Sequence, residues 1–323
     1  MTNEDIFNLT ERPARLAVIG GGPIGCELAQ AFQRLGSEVV LLHNKGHVLD
    51  REEPPAATLL QQALVADGLQ LLLDTELQRV ENKGSEKVLF YTTEGQPGSV
   101  TVDAILLGAG RAPNVDGLNL SAANIAYDRT NGVQVDDFLR TSNPRVYACG
   151  DVCMAWKFTH AADFAARLVI QNALFSLGPV GRRRLTSLLM PWCTYTEPEV
   201  ARVGLSTGEA TARGLAIDTY HQPFTEVDRA LTDAEEGFVQ ILTRRGTPTI
   251  VGATIVGRHA GELISEVTLA MSAKVGLGRL ANVIHPYPTV AEAIRKCGDQ
   301  YNRTRLTAGL KRWLERWMSW RRG

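Results

Sequence analysis

Between Arg15 and Leu42 the chain reads RLAVIGGGPIGCELAQAFQRLGSEVVLL: an apolar run, a glycine cluster, a helix-forming stretch and a second apolar run. Few folds accept that order. Leu16 to Ile19 reads as a buried parallel strand, Glu27 to Leu35 as a helix stopped by Gly36, and Glu38 to Leu42 as the next strand. Gly20, Gly22 and Gly25 stand between strand and helix at the spacing G-x-G-x-x-G. The first permits a tight turn, the second lets the backbone approach a pyrophosphate, and the third lets the helix pack closely on its strand. The helix start, with unpaired N–H groups and about half a positive charge, then faces the phosphates. The unit therefore reads as a dinucleotide site in a Rossmann-like α/β fold, with Gly20, Gly22, Pro23, Ile24, Gly25 and Glu27 as candidate contacts.

Dinucleotide folds usually place an acidic residue about 20 positions further on, where it bonds the ribose 2′-OH. Here His43, Asn44 and Lys45 occupy that region. Without a carboxylate there is no repulsion of a 2′-phosphate, and Lys45 with His43 or His47 can attract one, which favours NADP. Asn44 can equally bond a plain hydroxyl, so NAD stays open.

Pro55 to Asp67 reads as a second helix stopped by Gly68, and Gln70 to Leu73 as a third strand. Leu77 to Glu81, Lys87 to Thr92 and Ser99 to Thr101 are short extended stretches. Asn82-Lys83-Gly84 and Gly95-Gln96-Pro97-Gly98 separate them, which predicts an antiparallel meander. Ala104 to Leu107 is another buried strand, followed by GAGRAPN at Gly108 to Asn114.

Of the 323 residues 44% are hydrophobic and 21% charged, and the net charge of −1 gives no electrostatic reason to expect nucleic acid. No apolar run approaches the roughly 18 residues needed to span a bilayer. The opening MTNEDIFNLTERP lacks a basic-then-apolar leader, so a cytoplasmic protein is expected. Five scattered cysteines indicate no disulfide framework.

The G-x-G-x-x-G unit, the meander in place of a crossover helix and GAGRAPN together resemble the pyridine nucleotide domain of the FAD-dependent pyridine nucleotide-disulfide oxidoreductases. That group contains glutathione reductase, dihydrolipoamide dehydrogenase and mercuric reductase. Residues 140–151, RTSNPRVYACGD, strengthen the resemblance, matching the family's T-x-x-P-x-[IV]-[YF]-A-x-G-D. It implies that Gly150 and Asp151 meet the ribityl and phosphate region of FAD, and that Gly110 and Arg111 line the cofactor. It also places Phe158, Thr159, His160 and Ala161 beside the flavin, followed by a helix to Leu174 whose first N–H groups lie near the flavin O2. Cys149 and Cys153 read as packing residues, because the family's redox pair is C-x-x-x-x-C on a helix of an N-terminal segment.

Pro191 to Leu205 resembles the opening of the family's dimerisation domain. There His259 reads as a structural or interface histidine, since no cysteine or carboxylate sits at metal spacing, and no metal site is expected. His285-Pro286-Tyr287-Pro288-Thr289-Val290-Ala291-Glu292 matches the family's H-x-H-P-T-x-x-E with tyrosine in place of the second histidine. The resemblance implies that His285, Tyr287 and Glu292 assist chemistry across a homodimer interface. Tyrosine, with a pKa near 10, is a poor general base at neutral pH but can donate a proton. Mercuric reductases also carry tyrosine there. They end in a vicinal cysteine pair, for which Cys297 is a lone substitute. A plainer reading has His285 capping a turn and Tyr287 packing at the interface.

Taken as implied by the resemblance, the organisation is a Rossmann-like NAD(P) domain inserted in a partial FAD domain, followed by an α+β dimerisation domain. The expected ranges are 1–11 for a connection leaving an FAD segment, 12–111 for NAD(P) binding and 112–187 for the C-terminal part of the FAD domain. A basic linker at 178–184 ends that part, dimerisation then takes 188–305, and a tryptophan-rich amphipathic tail takes 306–323. The tail is expected to pack on its own domain or across the dimer in preference to a membrane surface. The implied function is hydride transfer from NADPH to FAD and on to a thiol, disulfide or metal-ion substrate. Only 19 residues precede Gly20, so the chain is expected to be a truncated form of such an enzyme, and the competing expectation is a catalytically inactive nucleotide-binding and dimerisation fragment without the redox disulfide.

Overall fold

A computed structural model describes residues 1–178 and 180–322, so Pro179 of the expected linker and Gly323 of the tail lie outside the described residues. The chain divides into two compact units: Met1–Ala109 together with the chain from Pro191 onward, and Gly110–Met190.

In the first unit, β1 (Arg15–Ile19), β2 (Glu38–Leu42), β3 (Gln70–Leu72) and a strand at Ala104–Leu107 form a parallel sheet in which β1 lies between β2 and the Ala104–Leu107 strand. Side-chain alternation explains how both faces are covered. Leu16, Val18, Val39 and Leu41 point to α1 (Pro23–Arg34) and α2 (Pro54–Ala66), where they pack with Cys26, Ala29, Leu60 and Leu64. Ala17, Val40 and Leu42 point the other way, onto Leu89 and Val102 of an antiparallel meander. The meander comprises β4 (Thr75–Lys83), β5 (Glu86–Thr93) and β6 (Gln96–Val102), after which β7 is the Ala104–Leu107 strand.

Among the element boundaries that differ from expectation, two have a local physical cause. Helix α1 begins at Pro23, four residues early, because proline is well suited to a helix's first turn. Gln96, Pro97 and Gly98 lie inside β6 and pair with Thr93, Thr92 and Tyr91, since the hairpin turn is made by Glu94 and Gly95, both with positive φ. Pro97 is tolerated because β6 is an edge strand. The start of the chain is tied to this unit: the Met1 amine donates to the Ile105 carbonyl at 2.7 Å and Ile6 is buried in the α1/α2 core.

The second unit has a short hairpin, β8 (Tyr127–Asp128) with β9 (Gly132–Val133), and one long helix, α3 (Thr159–Leu174). Ala161, Ala165 and Leu168 of α3 pack on Leu139, Met154 and Met190.

From Pro191 onward, β10 (Pro191–Thr194), β11 (Glu199–Gly204), α4 (Thr207–Ala212), β12 (Ile217–Pro223), α5 (Asp228–Thr232), β13 (Phe238–Arg244) and β14 (Ile250–Gly257) complete most of the first unit. Their strands form an antiparallel sheet in the order β10-β11-β14-β13-β12. Then follow α6 (Ala260–Ser272), α7 (Leu277–Leu280), α8 (Glu292–Thr304) and α9 (Ala308–Arg321). Val200, Phe238 and Val256 join the α1/α2 core. Among the described residues no helix is long and apolar enough to cross a membrane.

Candidate functional site

The glycine loop separates its residues by what each must do. Gly20 has φ of +111°, and a Cβ there would lie 2.7 Å from the Gly108 carbonyl oxygen. A Cβ on Gly25 would lie 1.9 Å from the Gly20 carbonyl oxygen, so α1 can reach the sheet only without one. Gly22 is different: a Cβ there meets nothing within 4 Å, and its φ of −77° suits any L residue. The protein itself does not need glycine at 22. The residue is the N-cap of α1 and supplies no side-chain acceptor, so the first-turn N–H groups of Ile24 and Gly25 point to space that a phosphate can enter. This is a cradle that a side chain would fill, and a pyridine dinucleotide fits it.

His43 lies beneath this loop. Its ring is buried, and Nδ1 accepts the Gly21 N–H at 3.1 Å. The ring proton is therefore on Nε2, which is buried with no hydrogen-bond partner among the described residues. Burial lowers the pKa of His43, which keeps it neutral. The expectation that His43 helps attract a 2′-phosphate is thus corrected: desolvation removes its charge, and its role is to hold the loop. Asn44 and Lys45 remain exposed at the end of β2. His47 points its Nδ1 at the Val48 carbonyl, 2.8 Å away.

Glu27, one turn into α1, accepts the Tyr195 N–H at 2.8 Å, and burial raises its pKa. Gln30 exchanges two hydrogen bonds with the Glu197 backbone, at 2.8 and 2.7 Å, so α1 is clamped to the segment between β10 and β11.

In the second unit Gly150 has φ of +79° and Asp151 sits in a single turn of 3₁₀ helix, its side chain 48% exposed. Arg111, next to Gly110, reaches Asp151 at 3.3 Å and also donates to the Lys157 carbonyl. Phe158 caps α3 without a side-chain bond, its ring stacked on His160 at 5.3 Å, while Thr159 is exposed and Ala161 buried. The unit thus places a carboxylate, a guanidinium and the start of α3 near one another, donors and acceptors of the kind a flavin nucleotide requires.

His285, Tyr287 and Glu292 are not assembled into one relay in this chain. Both ring nitrogens of His285 are engaged, Nδ1 by the Val283 carbonyl at 3.0 Å and Nε2 by Glu266 at 3.0 Å. The Tyr287 hydroxyl donates to Asp228 at 2.9 Å, and that bond raises its pKa. Glu292 pairs with Arg295 at 2.6 Å. Each of the three side chains is turned to its own counter-group.

All five cysteines are single thiols. Burial pushes Cys153 up to about 12 and raises Cys193 and Cys26 as well. Cys297 is fully buried in α8 and pushed up to about 12, so it cannot stand in for an accessible metal-transferring pair.

Two clusters were missed in the sequence. Glu52 and Arg202, both buried, pair at 3.0 Å; Trp192 donates to Glu52 at 2.8 Å and lies 4.3 Å beneath the guanidinium. Glu199 also comes within 4.8 Å of His259 and Glu262, which corrects the expectation that no carboxylate approaches that histidine. Glu199 arrives from β11 and is engaged by the Gly261 N–H at 2.9 Å, while His259 and Glu262 are exposed. Neither contact has a short-range sequence signal.

The profile described as pyridine nucleotide-disulphide oxidoreductase matches residues 1–166, and the one for the same family's dimerisation domain matches residues 190–297. A mercuric reductase of Lysinibacillus sphaericus is 32% identical over 296 residues, covering 91% of this chain and 54% of the relative. A dihydrolipoyl dehydrogenase of Thermus scotoductus is 35% identical over 306 residues, covering 92% and 65%. The chain thus spans about half the length of the mercuric reductases it matches. Among solved structures, the HOCl-induced flavoprotein disulfide reductase RclA from Escherichia coli superposes with a TM-score of 0.82 at 26% identity, covering 92% of this chain and 67% of that one. LpdA from Mycobacterium tuberculosis superposes with 0.83 at 27% identity, covering 93% and 64%. The chain belongs to the pyridine nucleotide-disulphide oxidoreductase family.

Proposed function

We propose that this chain is the pyridine nucleotide-binding and dimer-forming part of an FAD-dependent NAD(P)H oxidoreductase whose substrate is a thiol, a disulfide or a metal ion. The observation that carries the reading is Gly22: the one motif glycine that the fold does not require stands at an uncapped helix start. Family membership supports FAD and NAD(P)H as the cofactors. A flavin held by this family's fold would supply an acceptor for the hydride of a reduced nicotinamide. The protein's own residues bind and orient. Gly22 and the α1 N–H groups hold the pyrophosphate, His43 fixes the loop, and Lys45 favours a 2′-phosphate. Asp151, Arg111 and the start of α3 are proposed to hold the flavin nucleotide, and Glu27 to face the nicotinamide side.

Tyr287 keeps its proton at neutral pH, donating it to Asp228 in a hydrogen bond, and can pass it to a substrate only by exchanging that bond. His285, fixed by Glu266, keeps the loop that carries Tyr287 in place. Ile284 and Tyr287, 95% and 72% exposed, support a homodimer in which a second copy covers this loop. The single, mostly buried thiols favour a second reading for thiol exchange alone: no cysteine pair of this chain carries that step.

The test is titration of NADPH and NADH into wild type and Lys45→Glu. NADPH binding should weaken about tenfold in the variant, with NADH much less affected. Equal loss for both nucleotides would refute the assignment of Lys45, and no binding of either by wild type would refute the site.

A further inference from the structure

We propose that α9 docks on an anionic membrane surface, lying in the plane of the headgroups. The helix is 14 residues long and has no buried residue. Leu314 is half-buried and the other residues of the helix are exposed, Leu310 and Trp317 keeping 41% of their surface, so none of them enters a core of its own domain. At 100° per residue, Leu310, Trp313, Leu314, Trp317, Met318 and Trp320 fall within an arc of about 160°. Lys311, Arg312, Glu315, Arg316 and Ser319 fall on the other side, and of the helix's cations only Arg321 enters the apolar arc. Trp313 and Trp317 stack at 6.3 Å along the middle of that arc, with the Arg321 guanidinium 5.2 Å from the Trp317 ring. Thr307 starts the helix by accepting the Leu310 N–H, so the amphipathic face is set by the helix's own bonds and needs no tertiary contact.

Charge selects the occupant. From Arg303 to Arg322 the chain holds seven basic residues and one acidic one, although the protein as a whole carries −1. A second copy has no surplus of negative charge to meet these cations, since the protein as a whole carries only −1. An anionic bilayer instead accepts indole rings at the headgroup level and guanidinium groups among the phosphates. The length and charge of α9 rule out spanning, and among the described residues no other helix spans either.

Sedimentation of the full chain with phosphatidylcholine vesicles, with and without phosphatidylglycerol, tests this. The chain should bind the anionic vesicles only and be released as salt rises. Its tryptophan emission should shift to the blue, since three of its five tryptophans lie in α9. Arg312→Glu with Arg316→Glu should weaken binding about fivefold or more for each charge. Trp313→Ser with Trp317→Ser should abolish it while the melting temperature stays unchanged, because neither ring is buried. Failure of wild type to bind anionic vesicles overturns the proposal. So does vesicle binding that survives the tryptophan changes, and so does a change of oligomeric state in the tryptophan variant without vesicles, which would assign the face to a second copy.

Discussion

Replacing Gly22 and Gly25 separately by alanine distinguishes a ligand's requirement from the fold's. At Gly22 the new methyl enters open space on a backbone that alanine adopts freely, so only the weaker helix N-cap is lost. That costs about 1 kcal/mol, or about 2–4 °C of melting temperature for a chain of this size. The same methyl occupies the approach of a pyrophosphate. Overpacking of about 1–3 kcal/mol would weaken NADPH binding about 5- to 150-fold. At Gly25 the methyl would stand 1.9 Å from the Gly20 carbonyl oxygen, a backbone atom that cannot yield without moving the loop. A loss of more than about 3 kcal/mol of stability is expected, with nucleotide binding falling as a consequence. Thermal melts by circular dichroism and calorimetric titration with NADPH separate the two. A folded Gly22→Ala variant that binds NADPH like wild type would refute the cradle, and one that melts as low as Gly25→Ala would refute the steric argument.

Arg202→Met leaves Glu52 buried without its counter-charge, and should cost about 3–5 kcal/mol in urea unfolding. Adding Glu52→Leu should recover most of it, and a single-variant loss below about 1 kcal/mol would show that the pair is not load sharing as described. His43 contributes a pH dependence of known sign. Folding lowers its pKa below the unfolded value near 6.5, so above that pH both states are neutral and stability is flat. As pH falls, the unfolded chain takes up the proton first and stability drops. His43→Asn should therefore lose less stability than wild type between pH 7 and 5, and equal slopes would exclude a buried neutral histidine.

What the sequence made legible was set by the range of the forces involved. The apolar runs at Leu16 to Ile19 and Glu38 to Leu42, and the glycine spacing, are local signals, and the strand-turn-helix unit could be read from them. The meander could be read too, but its second turn could not be placed. Gly95 to Gly98 offers turn residues throughout, and only pairing with Tyr91 to Thr93 selects Glu94-Gly95. Burial was the least legible property. His43 looked like a cation on a loop, and only the close approach of Gly21 and Val48 shows it as an uncharged support. Glu52 and Arg202 are 150 positions apart, and nothing local to either announces the other.

The segment from Val283 to Glu292 shows why a motif can be recognised while its internal wiring is not. A motif fixes order along the chain, but a side chain's partner depends on where the neighbouring elements bring opposite charge. Glu266 comes from α6, Asp228 from α5, and Arg295 lies one turn further along α8 than Glu292. Each is a nearer counter-group than any within the motif. The consequence is a loop held by three independent polar contacts. They restrain it without covering it, which is why Ile284 and Tyr287 stay exposed on an ordered segment. Holding such residues outward costs hydrophobic burial, and a loop with no partner would gain by folding them in. The polar contacts at its base therefore offset that cost, with Tyr287 held in place by its hydroxyl's bond to Asp228.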